Sequence, residues 1–301
     1  MKKSIVLLAV ILVTAFSGVA FAQEGLTQIA DNVYSYVNVK NASPANSFAA
    51  NAGIIVGRDG IVVVDTLISA KEAQRFIKDI RKISDKPIRY VVDTHCHLDH
   101  TFGNSEFAKI GAVIVSHARC RENMLKNSAE TLKNAGKYGL TSAQMEGTKI
   151  DYPTLTFTDK MTINLDDQRI ELIYIAPSHT TGSIIVNIPD KKVLFTGDIL
   201  FTDFHPFMGD GDIPGWVKNL DYITALDVER IIPGHGPVSG KKDITDMRSY
   251  IIAFDAKARE LTAQKNDIAV VAAELQKTLP VKSQAEWMIP YNLQMKYLKG
   301  K

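Results

Sequence analysis

The chain has 301 residues, 46% of them hydrophobic and 23% charged, which suits one large domain with a substantial core and excludes bulk disorder. Its 35 basic and 33 acidic residues become 33 of each if residues 1–22, carrying Lys2 and Lys3, are removed. A balance of zero excludes an overall electrostatic footprint for nucleic acid or an anionic membrane, and the two cysteines are too few to be the main support of an exported domain.

The N-terminus reads as a cleaved secretory signal: Lys2 and Lys3, the apolar stretch Ile5 to Phe16, then Ala20-Phe21-Ala22 as an A-x-A cleavage site. That stretch is shorter than the roughly 20 residues that span a bilayer. The expectation is a periplasmic or secreted protein, cleaved after Ala22 and then free of the membrane. Cys96 and Cys120 are expected to be buried thiols rather than a disulfide.

Residues 33–38 and 52–56 read as strands, and Ile61-Val62-Val63-Val64 as a fully buried strand ending in Asp65. The spacing of Ala73, Phe76, Ile77, Ile80 and Ile83 predicts a helix over 70–83. A strand at 88–92 follows, then a short helix near 104–109, a strand at 112–115 and a charged helix from 118 to 135, opened by a structural His117.

The second half predicts strands at 170–175, 184–188, 193–195 and 229–232, with a helix near 215–226. IVVVDT at 61–66 and VLFTGD at 193–198 both end a buried strand in Asp, which suggests an internal duplication. The aromatic, glycine-rich segment 201–215 is a candidate substrate wall or lid. His205 within it reads as a surface histidine, and Trp216 and Trp287 as packing residues. Residues 241–301 read as a helical extension of two or three helices, interrupted by Pro280 and Pro290.

After the strand at 88–92 comes Asp93-Thr-His95-Cys-His97-Leu-Asp99-His100, which gathers three of the seven histidines into six positions. In an extended or turning backbone His95 and His97 point to one side and Cys96 and Leu98 to the other, while Asp99 and His100 come round as the chain turns. Neutral imidazole and carboxylate at this spacing suit zinc and other borderline divalent metals, with room for a second ion. His179, Asp198 and His235 each sit where a buried strand opens into a Gly-containing turn.

H-x-H-x-D-H at 95–100, H-T-x-G at 179–182, G-D at 197–198 and P-G-H-G at 233–236, in this order, resemble the metallo-β-lactamase superfamily of metallohydrolases over about residues 30–237. The resemblance implies an α/β fold, an αββα sandwich of two mixed β-sheets with outer helices and metals at one sheet edge. The organisation is then a signal peptide at 1–22, a metallo-β-lactamase-type domain at 23–240 and the helical extension at 241–301 packed on it.

The same resemblance implies that His95, His97 and His179 hold one metal and Asp99, His100 and His235 another, with Asp198 bridging and Asp65 supporting the ligand loop from behind. Two Zn²⁺ ions are the implied cofactors, with iron or manganese as alternatives, and Asp99 and Asp198 the residues taking part directly in catalysis. Flavodiiron relatives carry Glu at the position of His97, which disfavours a redox site.

The implied activity is that of an exported dinuclear zinc hydrolase, in which a metal-bridging hydroxide cleaves an ester, lactone, thioester or amide bond of a small-molecule substrate. Zinc β-lactamases of this family usually place Cys or Ser at the last His of the first motif or at the bridging Asp. This chain keeps His100 and Asp198, a set closer to the glyoxalase II, lactonase and phosphodiesterase branches. The alternatives are a zinc β-lactamase and a non-catalytic periplasmic metal-binding or sensor protein.

Overall fold

The computed structural model describes residues 25–165 and 167–298, so the signal peptide expected at 1–22 lies outside the described residues. Strands β1 (Thr27–Ala30), β2 (Val33–Ser35), β3 (Gly53–Val56), β4 (Ile61–Val64), β5 (Ile88–Asp93), β6 (Val113–His117) and β7 (Leu155–Phe157) form one seven-stranded sheet in sequence order. It is antiparallel as far as β4 and parallel from β4 to β7.

The second sheet runs in the order β12 (Arg230–His235), β11 (Val193–Phe201), β10 (Ile185–Ile188), β9 (Gln168–Ile173), β8 (Lys160–Leu165). Only its β11–β12 pair is parallel. Both sheets are therefore mixed.

Alternation along the strands assigns each side chain to a layer. Ile55, Val62, Val64, Val92 and Val115 point between the sheets, meeting Leu172, Val186, Val193, Phe195 and Ile232 from the other side. Ile54, Ile61, Val63, Val91 and Ile114 point outward beneath helices α1 (Ala70–Ile83) and α3 (Asn104–Ala108). A strand buried on both faces has no polar position, which is why IVVV reads as a continuous apolar run.

Two short helices, α2 (Leu98–Thr101) and α5 (Ser142–Met145), and the longer α4 (Ala118–Lys133) complete the first half. The second sheet's outer face is covered by α6 (Ile213–Ala225), α7 (Lys241–Gln264), α8 (Ile268–Gln276) and α9 (Met288–Asn292), around Trp216, Leu220, Tyr250, Phe254 and Leu275. The result is the αββα sandwich with extra C-terminal helices. Among the described residues no helix is long and apolar enough to cross a membrane.

Helix α1 begins at Ser69, whose hydroxyl accepts from the Glu72 N–H, and it carries Glu72 in its first turn and Arg81 and Lys82 in its last, matching the helix dipole. Its buried Ala73, Phe76 and Ile80 form the apolar face the spacing predicts.

Several strands differ from their sequence expectation. β1, β7 and β8 carry no apolar run: β8 exposes one face and owes its place to pairing with β9 along its whole length. β11 continues beyond Phe195 through Gly197 and Asp198 to Phe201, absorbing two register shifts against β12.

Phe76 is fully buried between Tyr36 and Phe107, with ring centroids 5.1 and 5.8 Å away. Phe76→Ala is expected to lower the unfolding free energy by about 3–5 kcal/mol. Urea denaturation of the full chain measures it.

Candidate metal centre

The C-terminal ends of β4, β5, β11 and β12 and the β9–β10 connection all open on one edge of the sandwich. This edge brings together every residue of the sequence-derived ligand set. His95, His97, His179 and Asp198 form one group and Asp99, His100 and His235 a second, the ligand atoms of each group lying within 4.8 Å of one another.

Asp198 faces both groups. Its Oδ2 lies 3.3 Å from His179 Nε2 and 3.7 Å from His95 Nε2, while Oδ1 lies 3.2 Å from His100 Nε2 and 3.4 Å from His235 Nε2. Asp99 Oδ2 closes the second group, 3.4 Å from His235 Nε2 and 3.6 Å from His100 Nε2.

This approach needs two glycines. A Cβ on Gly234 would stand 1.8 Å from Asp198 Oδ1, and Gly197 holds a φ of +48° where a Cβ would stand 2.4 Å from Thr94 Oγ1.

Each imidazole is held at the nitrogen turned away from the cluster. His100 Nδ1–H donates to Asp65 Oδ2 at 2.8 Å, His179 Nδ1–H to the Phe207 carbonyl at 3.1 Å, and His235 Nδ1–H to the Phe48 carbonyl at 3.0 Å. His97 Nε2–H donates to Asp210 Oδ2 at 3.0 Å. His95 Nδ1–H donates to Thr94 Oγ1 at 3.1 Å, and that hydroxyl passes its own proton to Asp65 Oδ2 at 2.8 Å. Carbonyls and carboxylates only accept, so these contacts place a proton on each outward nitrogen and turn the other nitrogen into the cluster, where His179 Nε2 and His97 Nδ1 face each other at 2.8 Å.

The interior of the cluster fits metal ions. His95 Nε2, His100 Nε2 and Asp198 Oδ1 are buried without a hydrogen-bond partner among the described residues. His100 Nε2 and Asp198 Oδ1 lie close together but are not aligned as donor and acceptor. Buried polar atoms left this way are costly, and a cation would satisfy all of them at once.

Burial drives His95 well below the usual histidine range and His179 down to about 3, so both are neutral. Burial acts the same way on His100 and His235, but the facing carboxylates outweigh it, raising His100 well above its range and His235 to about 9. Burial would raise Asp198; the imidazoles of His235, His100, His95 and His179 instead hold it well below the carboxylate range.

Asp65 sits behind the cluster, where the resemblance implies it. Besides holding His100, its Oδ1 accepts from the Thr94 N–H at 2.8 Å. Cys96 and Cys120 are unpaired thiols, and burial pushes Cys96 up to about 12 and Cys120 well above its range, so neither is a thiolate at neutral pH. His117 caps α4 through the Arg119 N–H and stacks on Tyr174, outside the cluster.

His205 corrects its sequence reading: it is 5% exposed, with Nδ1 2.7 Å from Tyr250 Oη, because α7 covers it. Trp216 is core, while Trp287 is 47% exposed.

Four contributors carried no sequence signal. Asp210 and Phe207 lie in the segment singled out as a wall, but nothing there marked them as partners of ligand imidazoles. Asn51 donates through its side-chain amide to the Pro233 and Gly236 carbonyls at 2.9 and 3.0 Å, bracketing His235. Ser47, Phe48 and Ala49 hold successive φ values of 55°, 52° and 64°, a strained left-handed run that aims the Phe48 carbonyl at His235.

Residues 46–235 match the family profile described as the Metallo-beta-lactamase superfamily. The linear primary-alkylsulfatase of Pseudomonas sp. (strain ATCC 19151) is 25% identical over 227 residues, 64% of this chain but 43% of that protein, so the chain spans less than half of that relative's length. The acyl-coenzyme A thioesterase MBLAC2 of Bos taurus is 26% identical, covering 68% of this chain and 79% of its own. Among solved structures, a metallo-beta-lactamase from Pontibacter korlensis superposes with a TM-score of 0.62 at 18% identity, covering 74% of this chain and 96% of its own. With 190 of its 301 residues matched by the family profile, and the motif residues drawn together at one sheet edge, the chain belongs to the metallo-beta-lactamase superfamily.

Proposed function

We propose that this chain is an exported dinuclear zinc hydrolase that cleaves an ester, lactone, thioester or amide bond of a neutral or weakly charged small molecule. The observation that carries the reading is Asp198, whose two carboxylate oxygens face two separate groups of ligand atoms. The names of the relatives, an alkylsulfatase, a thioesterase and a metallo-beta-lactamase, support hydrolysis without agreeing on a substrate. The Lys-Lys, apolar stretch and A-x-A sequence of residues 1–22 support export.

Zinc ions held there supply a water acidified towards neutral pH and a positive clamp for the reacting group. In this assignment the chain contributes His95, His97 and His179 as one ligand set and Asp99, His100 and His235 as the other, with Asp198 between them. In the same assignment Asp99 and Asp198 are the residues that take part directly in catalysis. Asp65 fixes His100 directly and His95 through Thr94, so it orients ligands in both sets. Neither buried thiol is required as a nucleophile.

The two sets differ in how they meet protons. His235 carries a proton below about 9, and a metal ion must displace it, so affinity at the Asp99, His100 and His235 set falls as pH is lowered. His95 and His179 are already neutral across the same range. Dialysis of the zinc-loaded chain from pH 9 to pH 6 is therefore expected to remove one ion before the other, read by elemental analysis. Simultaneous release of both ions overturns the assignment.

Asp198→Ala is expected to lose the second ion preferentially and to reduce turnover at least about a hundredfold. Gly234→Ala is expected to lose metal too, because the added methyl group displaces that carboxylate. His205→Ala keeps both ions and loses stability instead, since its contact is with Tyr250. Equal metal loss in all three variants shows that the ligands are wrongly assigned.

One zinc-loaded preparation should be compared on an acyl-homoserine lactone, S-lactoylglutathione, a phosphodiester and a chromogenic cephalosporin. The lactone is expected to be turned over fastest. A cephalosporin kcat/KM at or above about 10⁴ M⁻¹s⁻¹ makes the chain a zinc β-lactamase. No turnover of any substrate with both ions bound favours a metal-binding or sensor protein.

A further inference from the structure

The C-terminal extension reaches the metal centre. Phe207 lies against both His97 and His179, with ring centroids 5.6 and 6.1 Å apart. Tyr291, from α9, packs 5.7 Å from Phe207, and Trp287, just before α9, packs 6.2 Å from Tyr291. Trp287 in turn lies 6.3 Å from Phe48, whose carbonyl holds His235. These four rings form a continuous chain of contacts that starts beside His97 and His179 and ends at Phe48, the residue whose backbone carbonyl holds His235.

The Phe207 end of this chain of rings is anchored through its backbone. Asn292, 1% exposed, accepts from the Met208 N–H at 2.6 Å and donates to the Pro206 carbonyl at 2.8 Å, gripping the backbone on either side of Phe207. The His205 N–H donates to the Gln284 carbonyl and the Gln284 N–H to the Asp203 carbonyl, both at 3.1 Å. Such anchoring removes most of the ordering cost that mobile aromatic side chains would add to binding.

Yet the rings are not core. Trp287 is 47% exposed, and Phe48, Phe207 and Tyr291 are each only partly buried. Partly exposed rings fixed in tilted contact beside a polar cluster offer flat apolar surface to a ligand. The Asp210 carboxylate, bonded to His97, and the Lys296 ammonium, which donates to the Gly211 carbonyl, bring opposite charges to that side, so neither sign of net charge is favoured there.

We propose that Trp287 and Tyr291, with Phe48 and Phe207, form an aromatic subsite that takes a flat, uncharged apolar group, such as an aryl or extended acyl group, attached to the bond placed over the ligand cluster. Trp287 and Tyr291 lie beyond residue 235, where the family match ends, so this part of the site belongs to the extension. The proposal rests on the hydrolase reading only for the position of the reacting bond.

The test is binding rather than turnover. Acetohydroxamate and 2-naphthohydroxamate carry the same metal-binding group and differ in the apolar part. Titration calorimetry on the zinc-loaded full chain is expected to find the naphthyl compound at least about tenfold tighter. Trp287→Ala and Tyr291→Ala should each reduce that ratio to about twofold, with metal content and acetohydroxamate affinity preserved, and Trp287→Phe should keep most of it. An unchanged ratio in the alanine variants, or equal weakening of both hydroxamates, overturns the subsite.

A second measurement needs no metal. 4-Nitroanisole, an uncharged aryl ether, is expected to quench the tryptophan emission of the metal-free chain saturably, and to lose that saturable component in Tyr291→Ala, which keeps both tryptophans. Absence of saturable quenching overturns the subsite whatever the hydroxamates do. If no substrate is hydrolysed but the naphthyl preference and the quenching are found, the hydrolase reading fails and the subsite stands.

Discussion

The Asp65 carboxylate is the constraint on which the rest of the centre depends. It sits at the end of β4 with a φ of 60°, a left-handed conformation that Asp tolerates better than most side chains. From there one buried group fixes the Thr94 backbone, the Thr94 hydroxyl and His100, and through that hydroxyl His95. Burial raises the Asp65 pKa, and the hydrogen bonds from His100 and Thr94 oppose that rise. A carboxylate that accepts bonds from two histidine-bearing turns locks their rotamers together, so ligands on different elements keep one geometry.

The same logic recurs around the cluster with cheaper parts. Backbone carbonyls of Phe48 and Phe207 do for His235 and His179 what Asp65 does for His100. A carbonyl fixes a tautomer without adding charge, which keeps the cluster from accumulating more anions than its cations can balance. Strain at Ser47, Phe48 and Ala49 is the cost of aiming one of these carbonyls, and the bridge between Ala50 and His235 with the Asn51 amide supports that turn.

Much of this was legible in the chain because the ligands come in tight clusters at strand ends. His95 to His100 declare themselves by composition, and G-D and P-G-H-G by glycines whose missing Cβ atoms let Gly197 lie against Thr94 and Asp198 against Gly234. The buried strands and α1 follow from period. What stayed hidden was set by tertiary partners. β8 reads as polar because one face meets solvent, and His205 looked exposed because nothing local shows that α7 would cover it with Tyr250. Phe48 and Asn292 act through backbone groups far away in sequence, and no local pattern encodes such a pairing. The suggested duplication has a structural echo: β4–β5 and β11–β12 are each a parallel pair in which the first strand leads to an Asp of the centre and the second to a His.

The bond between His235 and Phe48 joins positions 187 residues apart, and Asn292 grips Met208 across 84. Closing loops of that length is entropically slow, so these contacts form only once both sheets have docked and the last helices are in place. The ligand cage is then a late product of folding. A partly unfolded chain keeps the His95–His100 run together but lacks His179, Asp198 and His235 beside it, so the seven side chains meet only in the folded chain. A cation held by side chains drawn from both sheets would favour the fully folded chain over every form in which the sheets are apart.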